Sequence, residues 1–175
     1  MIIGDPSRFA VEFELDEHHE REWLLGRFCY WVGGERVGDY ESGTTLNVVL
    51  FRLTSIVKDS GKREHPELAA LPGAELFRRL NAALHGSEPS PDEQRAMDEM
   101  WARFYVCPQH VDVFDSWRVF LVDAASTARL VFGRPQGGDT VREVNLTRGE
   151  FDRVLREAYE RLDQLYEREL KTSRS

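Results

Sequence analysis

A chain of 175 residues, 41% of them hydrophobic and 31% charged, is long enough to bury a core without staples and too apolar to stay disordered. Its formal net charge of −8 argues against a nucleic-acid or anionic-membrane partner, because such binding relies on Lys and Arg neutralising phosphates. The N-terminus has no basic and apolar regions of a signal peptide, and no window holds the roughly 18 apolar residues of a membrane span, so a cytoplasmic protein is expected.

In chain order, Phe9, Val11, Phe13 and Leu15 alternate with Ala10, Glu12, Glu14 and Asp16, which predicts a first strand with one buried and one acidic face. The runs Arg27 to Val32 and Glu35 to Tyr40 flank Gly33-Gly34, a dipeptide suited to the two left-handed positions of a type I′ turn. The hairpin register pairs Val32 with Glu35, Trp31 with Arg36 and Tyr30 with Val37, laying Arg36 on the Trp31 ring. A phosphate loop is the competing reading of these glycines. It fails because more strand follows and no Lys follows Gly38.

Leu46, Val49, Leu50, Leu53, Ile56 and Val57 then repeat at helical spacing, with Thr44 or Thr45 as the N-cap. After a connector from Pro66 to Pro72, a shorter helix spans Gly73 to His85, with Gly86 at its C′ position. A third helix opens at Ser90-Pro91-Asp92-Glu93 and turns Met97, Met100 or Trp101, and Phe104 inward. Tyr105 to Cys107 and Val111 to Val113 are short strand candidates interrupted by Pro108. Trp117 to Val122 and Ala128 to Phe132 form a second hairpin, and Val141 to Leu146 a last strand. The C-terminal helix opens at Thr147-Arg148-Gly149-Glu150, a T-x-x-E pattern, and carries one apolar stripe: Phe151, Val154, Leu155, Ala158, Leu162, Leu165 and Tyr166.

The elements predict an α+β fold: a mainly antiparallel sheet built from two hairpins and an N-terminal strand, packed by amphipathic helices that include a long C-terminal one. Residues 1–170 are expected to form a single domain and 171–175 a disordered tail. Cys29 and Cys107 read as buried reduced thiols and not as a disulfide. Adjacent His18 and His19 in EHHE point apart on either a strand or a helix, so no metal site is expected there. No nucleophile elbow is present, and carboxylate pairs are too common in an acidic chain to mark a catalytic one. Neither an enzyme nor a cofactor is predicted.

The charge is concentrated. Residues 1–26 carry seven acids against two bases, and residues 88–115 carry seven against two, so each segment is −5 and the remainder of the chain is +2. Such segments either keep the protein soluble or steer a basic partner.

The opening IIGDPSRFA, the hairpin ending in VGDY and the stretch VFDSWRVFLV occur in an order and spacing that resemble immunity protein family 42 of bacterial polymorphic toxin systems. Gly4, Asp5, Gly38, Asp39, Tyr40, Asp115 and Trp117 carry the match. The resemblance implies a small α+β protein that binds and neutralises a cognate toxin domain by occlusion. Steering by charge expects Glu12, Glu14, Asp16 and Glu17 at the partner surface, and the family pattern adds Asp39 and Tyr40. The partner is expected to be a basic toxin, with no nucleic acid and no membrane, and the sequence leaves the oligomeric state open. The alternatives are a small-ligand-binding or regulatory module with an apolar pocket lined by Trp31 and Trp117, and a hydrolase with convergent carboxylates or histidines.

Overall fold

The computed structural model describes residues 1–17, 23–136 and 140–173, so His18 and His19 lie outside the described residues. The elements run β1 (Ile2–Asp5), β2 (Phe9–Leu15), β3 (Leu25–Val32), β4 (Glu35–Val37), β5 (Thr44–Thr45), α1 (Leu46–Lys58), α2 (Pro66–Ala69), α3 (Gly73–His85), α4 (Glu93–Asp98), β6 (Arg118–Asp123), β7 (Thr127–Gly133), β8 (Arg142–Thr147) and α5 (Glu150–Ser173). The α+β class and its antiparallel pairing are as predicted, with the strands divided between two sheets, β1-β2-β3-β4 with β5 on β3, and β6-β7-β8. Two compact units result. One holds 1–58, 108–115 and 150–175, the other 59–107 and 116–149.

In the first unit the hairpin register is the predicted one, Val32↔Glu35, Trp31↔Arg36 and Tyr30↔Val37. Gly33 and Gly34 take φ 60° and 83°, as a type I′ turn demands. The strand expected to come first is preceded by β1, which the turn at Asp5 to Arg8 folds back onto it. Asp5 Oδ1 accepts from the Ser7 amide (2.9 Å) and hydroxyl (2.7 Å), and Arg8 N–H donates to the Asp5 carbonyl (2.9 Å), so the G-D-P-S motif is turn chemistry. Thr44 and Thr45 form β5 on Leu25 and Gly26 at the head of α1. The apolar faces meet through rings: Phe9 lies 4.4 Å from Phe151 of α5 and 5.4 Å from Tyr30, and Tyr30 lies 5.0 Å from Phe114. The carboxylate of Glu150, at the head of α5, takes Arg8 in a bidentate pair at 2.8 and 2.7 Å.

The second unit packs α3 and the 101–104 turn on the three-stranded sheet, with Leu76, Phe77, Leu80, Trp101, Phe104 and Phe120 at its centre. Four expectations are corrected there and at its boundary. The Pro66 to Pro72 connector contains α2, whose N-cap is His65: its Nδ1 accepts from Leu68 N–H at 3.2 Å. Gly86 ends α3 in an extended conformation, φ −69°, and not in the left-handed one. Met97 and Met100 are exposed, 68% and 70%, because the left-handed turn at Met100 (φ 56°) stops the helix. The 3₁₀ turn Trp101–Phe104 then rotates Trp101 and Phe104 inward, leaving Ala96 as the buried residue of α4. Tyr105 makes only an isolated bridge to Phe120, and Asp112–Phe114 is a 3₁₀ turn in the first unit, since Pro108 and left-handed His110 (φ 59°) bend the chain away from strand geometry.

The chain crosses between the units at 58/59, 107/108, 115/116 and 149/150, so neither is a continuous segment. We expect one cooperative unfolding transition, measured as a calorimetric enthalpy equal to the van't Hoff value. Two resolved transitions would show instead that the units unfold separately.

Candidate functional site

The outer face of the first sheet follows from the alternation of β2. Phe9, Val11 and Phe13 point to the helices, so Ala10, Glu12 and Glu14 point away. The β2–β3 register places Ala10 beside Trp31, Glu12 beside Cys29 and Glu14 beside Arg27, and β4 adds Arg36 beside Trp31. Glu12 sits at the centre: its Oε2 accepts from Trp31 Nε1 at 2.7 Å and from Arg36 Nη2 at 3.5 Å, with Cys29 Sγ at 3.8 Å. The Arg36 guanidinium lies 4.9 Å from the Trp31 ring and 4.6 Å from the Tyr40 ring, a double cation–π stack, while its Nη1 lies 3.6 Å from Glu41. Tyr40 donates its hydroxyl to Glu14 at 3.3 Å, with Arg27 at 6.0 Å from its ring.

The six residues expected at the partner surface fall into two groups. Glu12 (side chain 15% exposed) and Tyr40 (6%) are mostly covered and spend their polar atoms on neighbours. Tyr40 is turned under the sheet edge because Gly38 (φ 110°) and the Asp39 N–H to Val113 carbonyl bond (2.8 Å) redirect the chain. Glu14, Glu17 and Asp39 are exposed and Asp16 half-buried. Glu14, Asp16 and Glu17 surround a shallow recess with Leu15 and Arg27. Asp16 also borders an open cleft of about 550 Å³ between Thr44, Thr45, His110 and Asp112. Trp31 and Trp117, the pocket walls of the alternative reading, belong to different units, and neither lines this cleft.

The second acidic segment offers less free charge than its composition suggests. Asp92 is held by Arg79 (2.8 and 2.9 Å), Asp98 accepts from Gln94 (2.9 Å), and Glu99 accepts from His65 (2.8 Å), Arg95 (2.7 Å) and Trp101 (2.9 Å). These donors, His65 first, hold the Glu99 carboxyl down at about 2.

Burial and Glu12 push the Cys29 thiol up to about 12, so it is not a thiolate nucleophile near neutrality, and burial with Glu12 and Glu14 raises the Tyr40 hydroxyl as well. Among the described residues no group of three or more His, Cys, Asp or Glu is placed to hold a metal, and no helix is long and apolar enough to cross a membrane.

The family model described as immunity protein 42 matches residues 1–161 of this chain. The chain belongs to that family. It is therefore an immunity protein, one that binds and neutralises a cognate bacterial toxin. Among solved structures it is similar to the crystal structure of CdiI from Burkholderia dolosa, with a TM-score of 0.72 and 24% identity over 92% of this chain and 99% of that one. That likeness shows the fold. No curated protein sequence matches significantly. Within this immunity protein the family-pattern residues turn out to be architectural at several points: Asp5 closes the first turn, Gly38 redirects the chain, and Trp117, 7% exposed, is stacked by Arg134 (5.1 Å) and Arg142 (5.7 Å) in the second unit.

Proposed function

We propose that this immunity protein acts in the cytoplasm by occlusion, without catalysis, docking the outer face of its first sheet on a basic surface of the toxin. The observation that carries the reading is the gathering of exposed carboxylates, Glu14, Glu17 and Asp39 with half-buried Asp16, around a sheet face whose two arginines are already engaged by rings and acids. Exposed charge of one sign accelerates encounter with a partner of the other sign and sets the orientation of approach. Glu12 and Tyr40 belong to this surface as support, since their polar atoms are spent within it.

The test is the triple variant Glu14→Gln, Asp16→Asn, Glu17→Gln. It removes three charges with little change of shape, and the new amide oxygen at position 14 would still accept from Tyr40. Association with the cognate toxin domain should slow by about tenfold at low salt, the gap closing as salt rises, with dissociation changed by less than about twofold. A control triple on exposed α5 positions, Glu157→Gln, Glu160→Gln and Asp163→Asn, should leave the rate nearly unchanged. Equal effects of the two triples would mean that net charge alone matters, and the sheet face would lose its claim.

A further inference from the structure

Steering explains arrival and not residence, and the same face holds a second feature that the charges do not use. Trp31, Arg36 and Tyr40 form a prebuilt stack, and Glu12 holds both ends of it through Trp31 Nε1 and Arg36 Nη2. Trp31 is half-buried and Arg36 is 38% exposed at the side chain, so ring edge and guanidinium remain open to a partner. Beside them the register sets Ala10 next to Trp31, and Ile2, 50% exposed, next to Glu12. Phe9 and Tyr30 turn the opposite face of the same strands onto Phe151 of α5. Ile2 and Trp31 thus form the apolar strip of this face, with Ala10 fully covered beside Trp31.

We infer that Trp31 and Arg36 are the anchor of toxin binding and that Glu12 is the positioning residue that holds them in the bound geometry. The occupant is the basic face of the toxin, which contributes an apolar or aromatic side chain to the Trp31 edge within the carboxylate rim. Trp and Arg are the residue types that dominate interface energetics when desolvated at the centre of a patch. A stack already formed in the free protein loses little side-chain freedom on binding. Basic toxin residues find partners in Glu14 and Asp39 outside the strip, so the cation Arg36 is not left facing them unscreened, its Nη1 being near Glu41.

The inference rests on the occlusion reading, and rate constants separate the two. Trp31→Ala should raise the dissociation rate by at least about 30-fold, the span of a hot-spot residue, with association within about threefold of the parent. Trp31→Phe, which restores a ring, should recover part of the loss. Glu12→Gln keeps an acceptor for Trp31 Nε1 but removes the charge that faces Arg36, and should speed dissociation by about fivefold, with Glu12→Ala worse. If Trp31→Ala fails to fold, Arg36→Ala on an exposed side chain carries the test, with about tenfold faster dissociation expected. Dissociation unchanged within about twofold in folded Trp31→Ala and Arg36→Ala would overturn the anchor even where association still follows the carboxylate rim. A parent protein that protects cells yet forms no complex with the toxin would sink the occlusion reading itself.

Discussion

Phe151→Ala should destabilise the protein by about 3–5 kcal/mol, and a chain ending before α5 should not fold at all. The ring is 1% exposed and lies 4.4 Å from Phe9 and 6.5 Å from Tyr30, so truncation leaves a cavity between a helix and two adjacent strands. Val154, Leu155, Ala158 and Leu162 continue the stripe along the same helix face, each about 1% exposed or less. Against a total stability of the order of 5–15 kcal/mol, losing one such ring is a large fraction, and losing the whole stripe exceeds what the sheet can supply. Urea unfolding would measure the first effect as a lower midpoint with an unchanged slope. A soluble, cooperatively folded chain truncated after Arg148 would detach α5 from the core and make its stripe a partner-binding surface. β2 presents Phe9 and Val11 to α5 and Ala10, Glu12 and Glu14 to the proposed docking face, so the helix that fixes one face of the strand fixes the geometry of the other.

Much of this architecture is legible in the sequence because local chemistry specifies it. The Gly33-Gly34 turn sets the hairpin register, the apolar periods set α1, α3 and α5, and WRVFLV with ARLVF sets the second hairpin. What escapes is decided by contacts between segments far apart in sequence. Alternation along β2 tells which residues share a face with Glu12, but not that the β2–β3 register brings Trp31 and Arg36 within reach of its carboxylate. Glu12 therefore reads as a free surface charge and is a largely covered acceptor. The burial of Tyr40 escapes for a different reason, since the chain reversal at Gly38 is set by the Val113 carbonyl, more than seventy residues away. The Met100 turn leaves no mark either: a left-handed methionine has no propensity signature, so the helical period runs on in the sequence past the point where α4 ends. The acidic composition of residues 88–115 likewise says nothing of the arginines and the histidine that come to hold Asp92 and Glu99.

Gly26→Ala should cost about 3 kcal/mol, far more than a surface glycine, and should weaken toxin binding in addition. Gly26 lies in β3 between Leu15 of β2 and Thr44 of β5, where three strands meet. A Cβ there would stand 2.2 Å from the Glu14 carbonyl oxygen and 2.8 Å from Leu46 Cδ1. The first obstacle is backbone and cannot rotate aside, and the second is a side chain 1% exposed at the head of α1. Relief therefore requires β2 to move away from β3 at the point where the chain carries Glu14 and Asp16 to the rim, and the same displacement deforms the cleft that Gly26 lines beside Asp112. Gly34 is the informative control. It has left-handed backbone, φ 83°, with nothing within 4 Å of a Cβ, so Gly34→Asn, which tolerates that conformation, should cost less than about 1 kcal/mol and leave binding unaltered. The pair is resolved by thermal unfolding together with association rates. Gly26→Ala should lower both stability and association even where most molecules are folded, because the rim residues are displaced within the folded state. A variant that unfolds more readily but associates at the parent rate per folded molecule would mean that the strand moves as a rigid piece, and that the rim does not depend on the close approach of β2 to β3.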